Sequence, residues 1–370
     1  MIRFLDFTRK YKRYRRPVQS AVSRVFRRGW FILGPELEEF ERRFARYLDV
    51  RHVIGVNSGT DALFLVLKAH GIEAPHEVIT VANTAVPTVS AIRMTGATPV
   101  FVDVLADSQT LDFSRLEAAI TPKARAVVPV HLYGYPACMN EILRISKAHK
   151  LIVIEDACQA HGANYSGRRV GTLGDAGCFS FYPTKNLGAF GDAGAVVTND
   201  TRLANRLRAM RNYGEVSKAK NAIEGINTRL DEIQAALLGL GLSHIDEWNQ
   251  QRAKIANIYL RTLRKTPLEL PTTSDSLRQR IWHQFVVKSD QRDSLQRFLR
   301  QKGIETMIHY PTPVHKQRAY RFLTYRSDDL PVTSRLSNRI LSLPIYPELS
   351  KAEVSTVCSA ILEFYGKEGR

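Results

Sequence analysis

Between residues 51 and 200 the chain repeats one pattern, a short unbroken run of apolar residues followed by a stretch with helical spacing. Val78–Val81, Pro99–Val102, Ala126–Val130 and Leu151–Ile154 are such runs, rich in Val and Ile. Between them lie stretches such as Ala62, Leu63, Val66, Leu67 and Ala69, whose spacing places them on one side of a helix. An unbroken apolar strand is one buried on both faces, and parallel neighbours need a crossover, usually a helix, to connect them. The pattern therefore predicts an α/β unit with a mostly parallel sheet between helices. In sheets of this kind ligands sit beyond the carboxyl ends of the strands, so those ends are where chemistry is sought.

The flanking regions are arranged around that sheet. The first fifty residues read as one or two helices ahead of it. From Leu230 to about Leu263 the pattern is helical, with Ile233, Ala236, Leu237, Leu240 and Ile245 on one face. A smaller α+β unit follows, with a strand at His283–Val287, a helix at Arg292–Lys302 and a final amphipathic helix. In that helix Val354, Val357, Cys358, Ile361, Leu362 and Tyr365 recur at helical intervals. A chain of 370 residues exceeds one ordinary core. Two domains are expected, a large one at 1–245 and a small C-terminal one at 246–370. The Pro-containing loops at 311–313 and 344–347 are expected near their junction.

Composition narrows the partners. No apolar run approaches the roughly 18 residues of a membrane span, and the basic N-terminus lacks the apolar stretch of a secretory signal. The cysteines Cys138, Cys158, Cys178 and Cys358 are widely spaced with no CxxC pair. Free thiols and a reducing cytoplasm are the expectation, with no metal site. The net charge of +17 predicts attraction to polyanions. Nucleic acid is one candidate, although no helix-turn-helix, zinc-finger or RNP-type motif is present. A small substrate bearing a diphosphate is another, and a plain solvated basic face is the alternative to both.

Three motifs carry chemistry. Leu151–Ile154 runs straight into Glu155 and Asp156, which puts Asp156 at the carboxyl end of a central strand, where a buried carboxylate needs a cationic or hydrogen-bonding partner. Lys185 lies in Ser180-Phe-Tyr-Pro-Thr-Lys-Asn-Leu-Gly, a Pro- and Gly-punctuated turn after a strand at Gly177–Tyr182. A desolvated lysine amine becomes nucleophilic. Asn57-Ser-Gly-Thr-Asp-Ala-Leu opens a helix with Gly59 and the Ser58 and Thr60 hydroxyls, the makings of a phosphate cup. Each motif alone has a plain structural reading: an ion pair or cap, a surface lysine, a helix N-cap. Together they make the set that pyridoxal phosphate requires, a phosphate cup, a carboxylate for the pyridine nitrogen and a Schiff-base lysine.

The sequence also resembles the DegT/DnrJ/EryC1/StrS family of sugar aminotransferases, which have the fold type I architecture of aspartate aminotransferase. The resemblance runs through Phe4-Leu-Asp, Gly29-Trp-Phe-Ile-Leu-Gly-Pro-Glu, Asn57–Leu63, Glu155-Asp-Ala-Cys-Gln-Ala-His-Gly-Ala, Ser180–Gly188, Gly191-Asp-Ala-Gly-Ala, the stretch from Gly225 to Ala236 and Leu343-Pro-Ile-Tyr-Pro. It implies that Lys185 forms the Schiff base and that Asp156 pairs with the ring nitrogen. It also implies that Gln159 lies near the phenolic oxygen and that Gly59, Thr60 and Ser180 hold the phosphate. Asn227 would reach the phosphate of a partner subunit, making the active unit a symmetric homodimer. His309, Tyr310 and His315 fall in the region resembling the family's substrate loop, and each reads equally as a packed loop residue. Where many members carry an aromatic that stacks on the cofactor ring, this chain has Ala85.

The expected reaction moves an amino group from L-glutamate to a keto group of a nucleotide-diphosphate-linked deoxy sugar. Gly29–Gly34 and Asp156–Gly162 look more like members acting at C3 than at C4, and His161 is a candidate for choosing the position, its plain reading being a core histidine. A family branch with histidine in place of the lysine is a dehydratase, and Lys185 argues against it. Two other readings stand beside this one: amination of a non-sugar keto carbocycle, and a regulatory or binding protein that has kept the fold without turnover.

Overall fold

The computed structural model describes residues 1–368. Two helices come first, α1 (Phe7–Arg28) and α2 (Pro35–Leu48). Tyr14, Val18, Ala21 and Val25 form the buried stripe of α1 at helical spacing. Pro17 interrupts it, and Tyr14 leaves helical geometry at φ −109°, ψ 18°. A proline ring clashes with the carbonyl four residues back and supplies no N–H, which accounts for a kink at this point.

Seven strands then form the central sheet: β1 (His52–Val56), β2 (Glu77–Val81), β3 (Thr98–Val102), β4 (Ala124–Val127), β5 (Ile152–Asp156), β6 (Ala176–Ser180) and β7 (Gly194–Thr198). Their order across the sheet is β1-β7-β6-β5-β4-β2-β3. The five strands from β6 to β3 run parallel, and β7 is antiparallel to both its neighbours. The helices between are α3 (Gly59–Ala69), α4 (Val86–Met94), α5 (Met139–Ala148) and α6 (Thr201–Met210). They are followed by α7 (Glu232–Leu242) and α8 (Ile245–Leu263).

Alternation along the strands builds two cores. Val53, Ile79, Val127, Val153 and Val197 join the cluster beneath α1, α2, α5 and α7. Their neighbours Ile54, Val78, Ala126, Ile154 and Val196 join the cluster beneath α3, α4 and α6. A period of two sends successive side chains to opposite faces, so a strand apolar throughout supplies both layers. This is the mostly parallel sheet between helices that the sequence pattern predicts.

A third cluster gathers β8 (Phe285–Lys288), α9 (Arg292–Gln301), β9 (Ile340–Leu343) and α11 (Lys351–Glu368), while α10 (Pro331–Ser337) lies outside it. β8 and β9 pair antiparallel. The long helical pattern from Leu230 breaks at Ser243 and His244 into α7 and α8. The first turn of α8, with Ile245 and Trp248, feeds the sheet's core, and Ile255, Ala256, Tyr259 and Leu263 feed the third. Ile2 also packs there, far in sequence from its neighbours. Among the described residues no helix is long and apolar enough to cross a membrane.

One buried carboxylate joins the start of α2 to α7. Glu232, 1% exposed, accepts from the backbone N–H groups of Gly34 (3.0 Å), Glu36 (2.9 Å) and Leu37 (2.9 Å) at the start of α2. A helix N-terminus has unpaired donors and a positive dipole end, and this side chain answers both. Glu232→Ala is therefore expected to destabilise the protein by about 2–4 kcal/mol. A urea-denaturation midpoint indistinguishable from the parent would contradict that assignment.

Candidate active site

The carboxyl ends of β1, β2, β4, β5 and β6 converge on a cavity of about 240 Å³. Its lining includes Gly59, Thr60, Asp156, Gln159, Ser180 and Lys185. Six of the residues singled out from the sequence thus come together although they arise from separate elements.

At the start of α3, Ser58 caps the helix, its Oγ accepting from Asp61 N–H at 3.1 Å. The N–H groups of Gly59 and Thr60 keep no acceptor among the described residues. These are donors of the kind that hold a phosphate at a helix N-terminus. The helix start is closely packed from two sides. A Cβ at Gly59 would lie 2.7 Å from Ser180 Cβ, and one at Gly194 in β7 would lie 2.3 Å from the Ser58 carbonyl oxygen.

Asp156 is 5% exposed. Its Oδ2 accepts from the Thr88 hydroxyl at 2.7 Å and its Oδ1 from Cys158 N–H at 3.2 Å. Thr88 spends its only hydroxyl proton on Asp156, so the 3.0 Å contact between Thr84 and Thr88 has Thr84 as donor. Glu155, next in the chain, faces the other way and is fully buried. It accepts from Gly171, Leu173 and Gly174 N–H at 2.7, 2.6 and 2.8 Å, and pairs with His131 Nε2 at 2.9 Å. His131 Nδ1 accepts from Ala137 N–H at 3.1 Å, which makes Nε2 the protonated nitrogen.

Gln159 is oriented from both ends. Its Oε1 accepts from Tyr133 N–H at 2.9 Å, and its Nε2 donates to the Tyr310 hydroxyl at 3.1 Å. Tyr133 holds a left-handed backbone, φ 56°, uncommon for a bulky residue. Burial pushes the Tyr310 hydroxyl up to about 12. Lys185 sits in the turn after β6, its backbone N–H bonded to Tyr182 O at 2.8 Å. Its amine has no hydrogen-bond or ion-pair partner among the described residues. Desolvation lowers its pKa below the ordinary 10.5, against the smaller opposing pull of Cys158 and Asp156.

The remaining candidates separate. His309 and Tyr310 line a second cavity of about 490 Å³, which shares Tyr182 and Thr184 with the first. Burial, reinforced by Lys185, lowers His309 to about 4. His161 lines neither cavity. It is 1% exposed, rests against Phe179 and Phe181, and neither ring nitrogen has a hydrogen-bond partner among the described residues. Burial lowers it to about 3. His315 is likewise buried, lines neither cavity, and has both nitrogens unpartnered among the described residues. Asn227 is exposed and outside the lining. Its neighbour Thr228 donates to Asp61 Oδ2 at 2.9 Å, which ties this segment to the start of α3. Ala85 does line the cavity, among the small residues Thr84, Pro87 and Thr88. Thr88 and Tyr133 went unrecognised in the sequence, because a hydroxyl or a backbone N–H offers no pattern until the fold brings its acceptor near.

A family model described as the DegT/DnrJ/EryC1/StrS aminotransferase family matches residues 14–362. The chain belongs to this family. It is a pyridoxal-phosphate-dependent aminotransferase. It is similar to the dTDP-3-amino-3,4,6-trideoxy-alpha-D-glucose transaminase of Streptomyces venezuelae, 45% identical over 98% of this chain and 95% of that one. It is equally similar to the dTDP-3-amino-3,6-dideoxy-alpha-D-galactopyranose transaminase of Aneurinibacillus thermoaerophilus, at 45% identity over 98% and 99% of the two chains. The crystal structure of S. venezuelae DesV in complex with a ketimine intermediate superposes with a TM-score of 0.96, at 45% identity over 98% of each chain.

The aminotransferase cavity fits its cofactor on this chain's own terms: bare helix N-terminal donors, a buried carboxylate, and a lysine amine drawn toward its neutral form. A lowered pKa puts free amine on Lys185 at lower pH than on an exposed lysine. Competitive acetylation of the apo-protein across pH, read by peptide mass mapping, should give Lys185 a reactivity midpoint below 10.5. A midpoint at or above that value would contradict the desolvated environment.

Proposed function

We propose that this aminotransferase moves the amino group of L-glutamate to the C3 keto group of a nucleotide-diphosphate-linked deoxy sugar, working as a homodimer in the cytoplasm. The observation that carries the reading is the meeting of Lys185, Asp156 and the start of α3 on one cavity. Both relatives named above are transaminases of dTDP-linked 3-amino sugars, which supports the acceptor class and the C3 position. The +17 charge suits an anionic diphosphate. The four cysteines are free, in keeping with a reducing compartment. The division into lobes at 1–245 and 246–370 is part of the same reading, the second cavity drawing on both.

The residues take these roles. Gly59 and Thr60 N–H and the Ser180 hydroxyl hold the cofactor's phosphate. Asp156 pairs with the ring nitrogen, and Thr88 and Cys158 N–H hold its carboxylate in place. Gln159, fixed by Tyr133 and Tyr310, faces the phenolic oxygen. When bound, the cofactor supplies an electron sink for the carbon that gains or loses nitrogen. Lys185 attaches the cofactor at rest and, once released, moves a proton as general base. Asn227 reaches the phosphate of the partner subunit across a two-fold axis. His309 and Tyr310 contact the acceptor in the larger cavity. His161 and His315 act from behind the site, through packing.

Three experiments test this. A purified sample with pyridoxal phosphate should show an absorbance band near the visible edge that Lys185→Ala abolishes, with amino transfer falling by at least about 10²–10⁴-fold. A Lys185→Ala protein of full activity would end the reading. A panel of 3-keto and 4-keto nucleotide sugars and keto carbocycles, with glutamate as donor, should give turnover on the 3-keto nucleotide sugars. Thr88→Val should weaken cofactor binding about tenfold, a loss of roughly 1–2 kcal/mol, measured by titration of the apo-protein. Salt-dependent DNA binding without amino transfer to any acceptor would favour a regulatory protein instead.

A further inference from the structure

His283 and Gln284 stand side by side just ahead of β8, and the roles above use neither. His283 is 5% exposed and Gln284 8%. Along a strand two consecutive side chains face opposite ways. Here the chain bends at His283, and both side chains line the cavity of about 490 Å³. The Gln284 amide has no hydrogen bond among the described residues. The His283 backbone is held from two sides, its N–H donating to the Tyr133 carbonyl at 3.2 Å and its carbonyl accepting from Arg252 at 3.3 Å.

The histidine ring is set by a run of amides that starts at a backbone carbonyl. Asn249 Nδ2 donates to the His161 carbonyl at 2.9 Å, so its Oδ1 accepts from Asn186 Nδ2 at 2.8 Å. That turns Asn186 Oδ1 toward His283 Nδ1, at 3.1 Å. A carbonyl oxygen only accepts, so Nδ1 carries the proton and Nε2 of the neutral ring is an acceptor. Burial, and after it the charge of Lys185, holds the ring's pKa well below the ordinary 6.5. Nε2 has no partner among the described residues, and unlike the nitrogens of His161 and His315 it is not sealed by its neighbours.

A buried polar group without a partner is costly until a ligand meets it. Nε2 calls for a donor, which no carboxylate or phosphate oxygen supplies. The amino-acid donor brings carboxylates, and its one ammonium has to sit at the cofactor. A sugar hydroxyl satisfies Nε2 and either end of the Gln284 amide alike. The cavity shares Tyr182 and Thr184 with the cofactor's cavity, so a sugar held there lies beside the cofactor. Phe4, Phe7, Met307 and Ile345 also line it, apolar surface for carbons that carry no oxygen.

We propose that His283 Nε2 and the Gln284 amide each bind a ring hydroxyl of the acceptor sugar, at the two positions flanking the keto carbon. This rests on the 3-keto-sugar reading given above and names the acceptor's class, a deoxy sugar that keeps hydroxyls at both C2 and C4. A 4-deoxy sugar leaves one of the two buried groups unmet.

The probes are dTDP-3-amino-3,6-dideoxy-alpha-D-galactopyranose, its C4 epimer, and the 4-deoxy analogue dTDP-3-amino-3,4,6-trideoxy-alpha-D-glucose. Each is titrated into the pyridoxal-phosphate holoenzyme and followed by the fall of the cofactor's absorbance band. The better bound of the two C4 epimers should bind about tenfold or more tightly than the 4-deoxy sugar. Gln284→Leu removes the amide at similar volume and should weaken binding of that epimer by about tenfold. It should leave the band of the unliganded holoenzyme and the melting temperature as in the parent. Equal affinity of the parent for 4-hydroxy and 4-deoxy sugars would overturn the proposal. So would undiminished affinity in Gln284→Leu, or a variant that loses the cofactor band along with binding, the mark of a structural role. A crystal structure of the parent holoenzyme with the bound epimer needs no variant to fold, and C2 and C4 hydroxyls bonded away from His283 and Gln284 would also overturn it. If the parent exchanges no amino group with any 3-amino nucleotide sugar, the acceptor reading itself falls. Exchange without preference between 4-hydroxy and 4-deoxy sugars refutes the His283 and Gln284 assignment alone.

Discussion

Two adjacent carboxylates at the end of β5 face opposite ways, and the site depends on how differently they are satisfied. A carboxylate can accept about four hydrogen bonds, and one withdrawn from water must find donors inside the protein. Glu155 finds four, from His131 and three backbone amides, and has nothing left to offer a ligand. Those bonds fasten the loop at 171–174 to the strand and fix where β5 ends. Among the described residues Asp156 has only the Thr88 hydroxyl and one backbone amide as donors, and it lines the cavity. Strand alternation alone turns one carboxylate into scaffold and the next into a receptor.

How much of this the sequence carried follows from which interactions are local. The apolar runs read as parallel strands because burial on both faces leaves a mark on every residue of the strand. Asp156, Lys185 and the start of α3 were legible because each sits where a regular element stops, and such stops are written in Pro, Gly and polar residues. β7 shows the limit: an apolar stretch beginning at Gly194 records burial but not direction, and its antiparallel sense is decided by strands far away in the chain. The break between α7 and α8 at Ser243 and His244 carries no glycine or proline and passed as one helix.

The polar side chains between the two cavities work as one assembly. Tyr133 donates its backbone N–H to Gln159 and its hydroxyl to the His309 carbonyl, and Gln159 donates to Tyr310. A residue expected at the cofactor is thus bonded directly to one expected at the acceptor. Ala85 leaves room on this wall that a large ring would fill, so the cofactor's grip relies more on its two polar ends, the helix start and Asp156.

The seam between α3 and β7 has a consequence for how such an enzyme diversifies. At Gly194 main chain presses on main chain, and a Cβ there would run into the Ser58 carbonyl; a Cβ at Gly59 would run into Ser180 Cβ and Cys158 Sγ. Where main chain meets main chain at Gly194, no flexible side chain is present to absorb a change. The histidine and tyrosine rim of the larger chamber is built from ordinary, replaceable side chains. A substitution is more readily absorbed at that rim than at the start of α3.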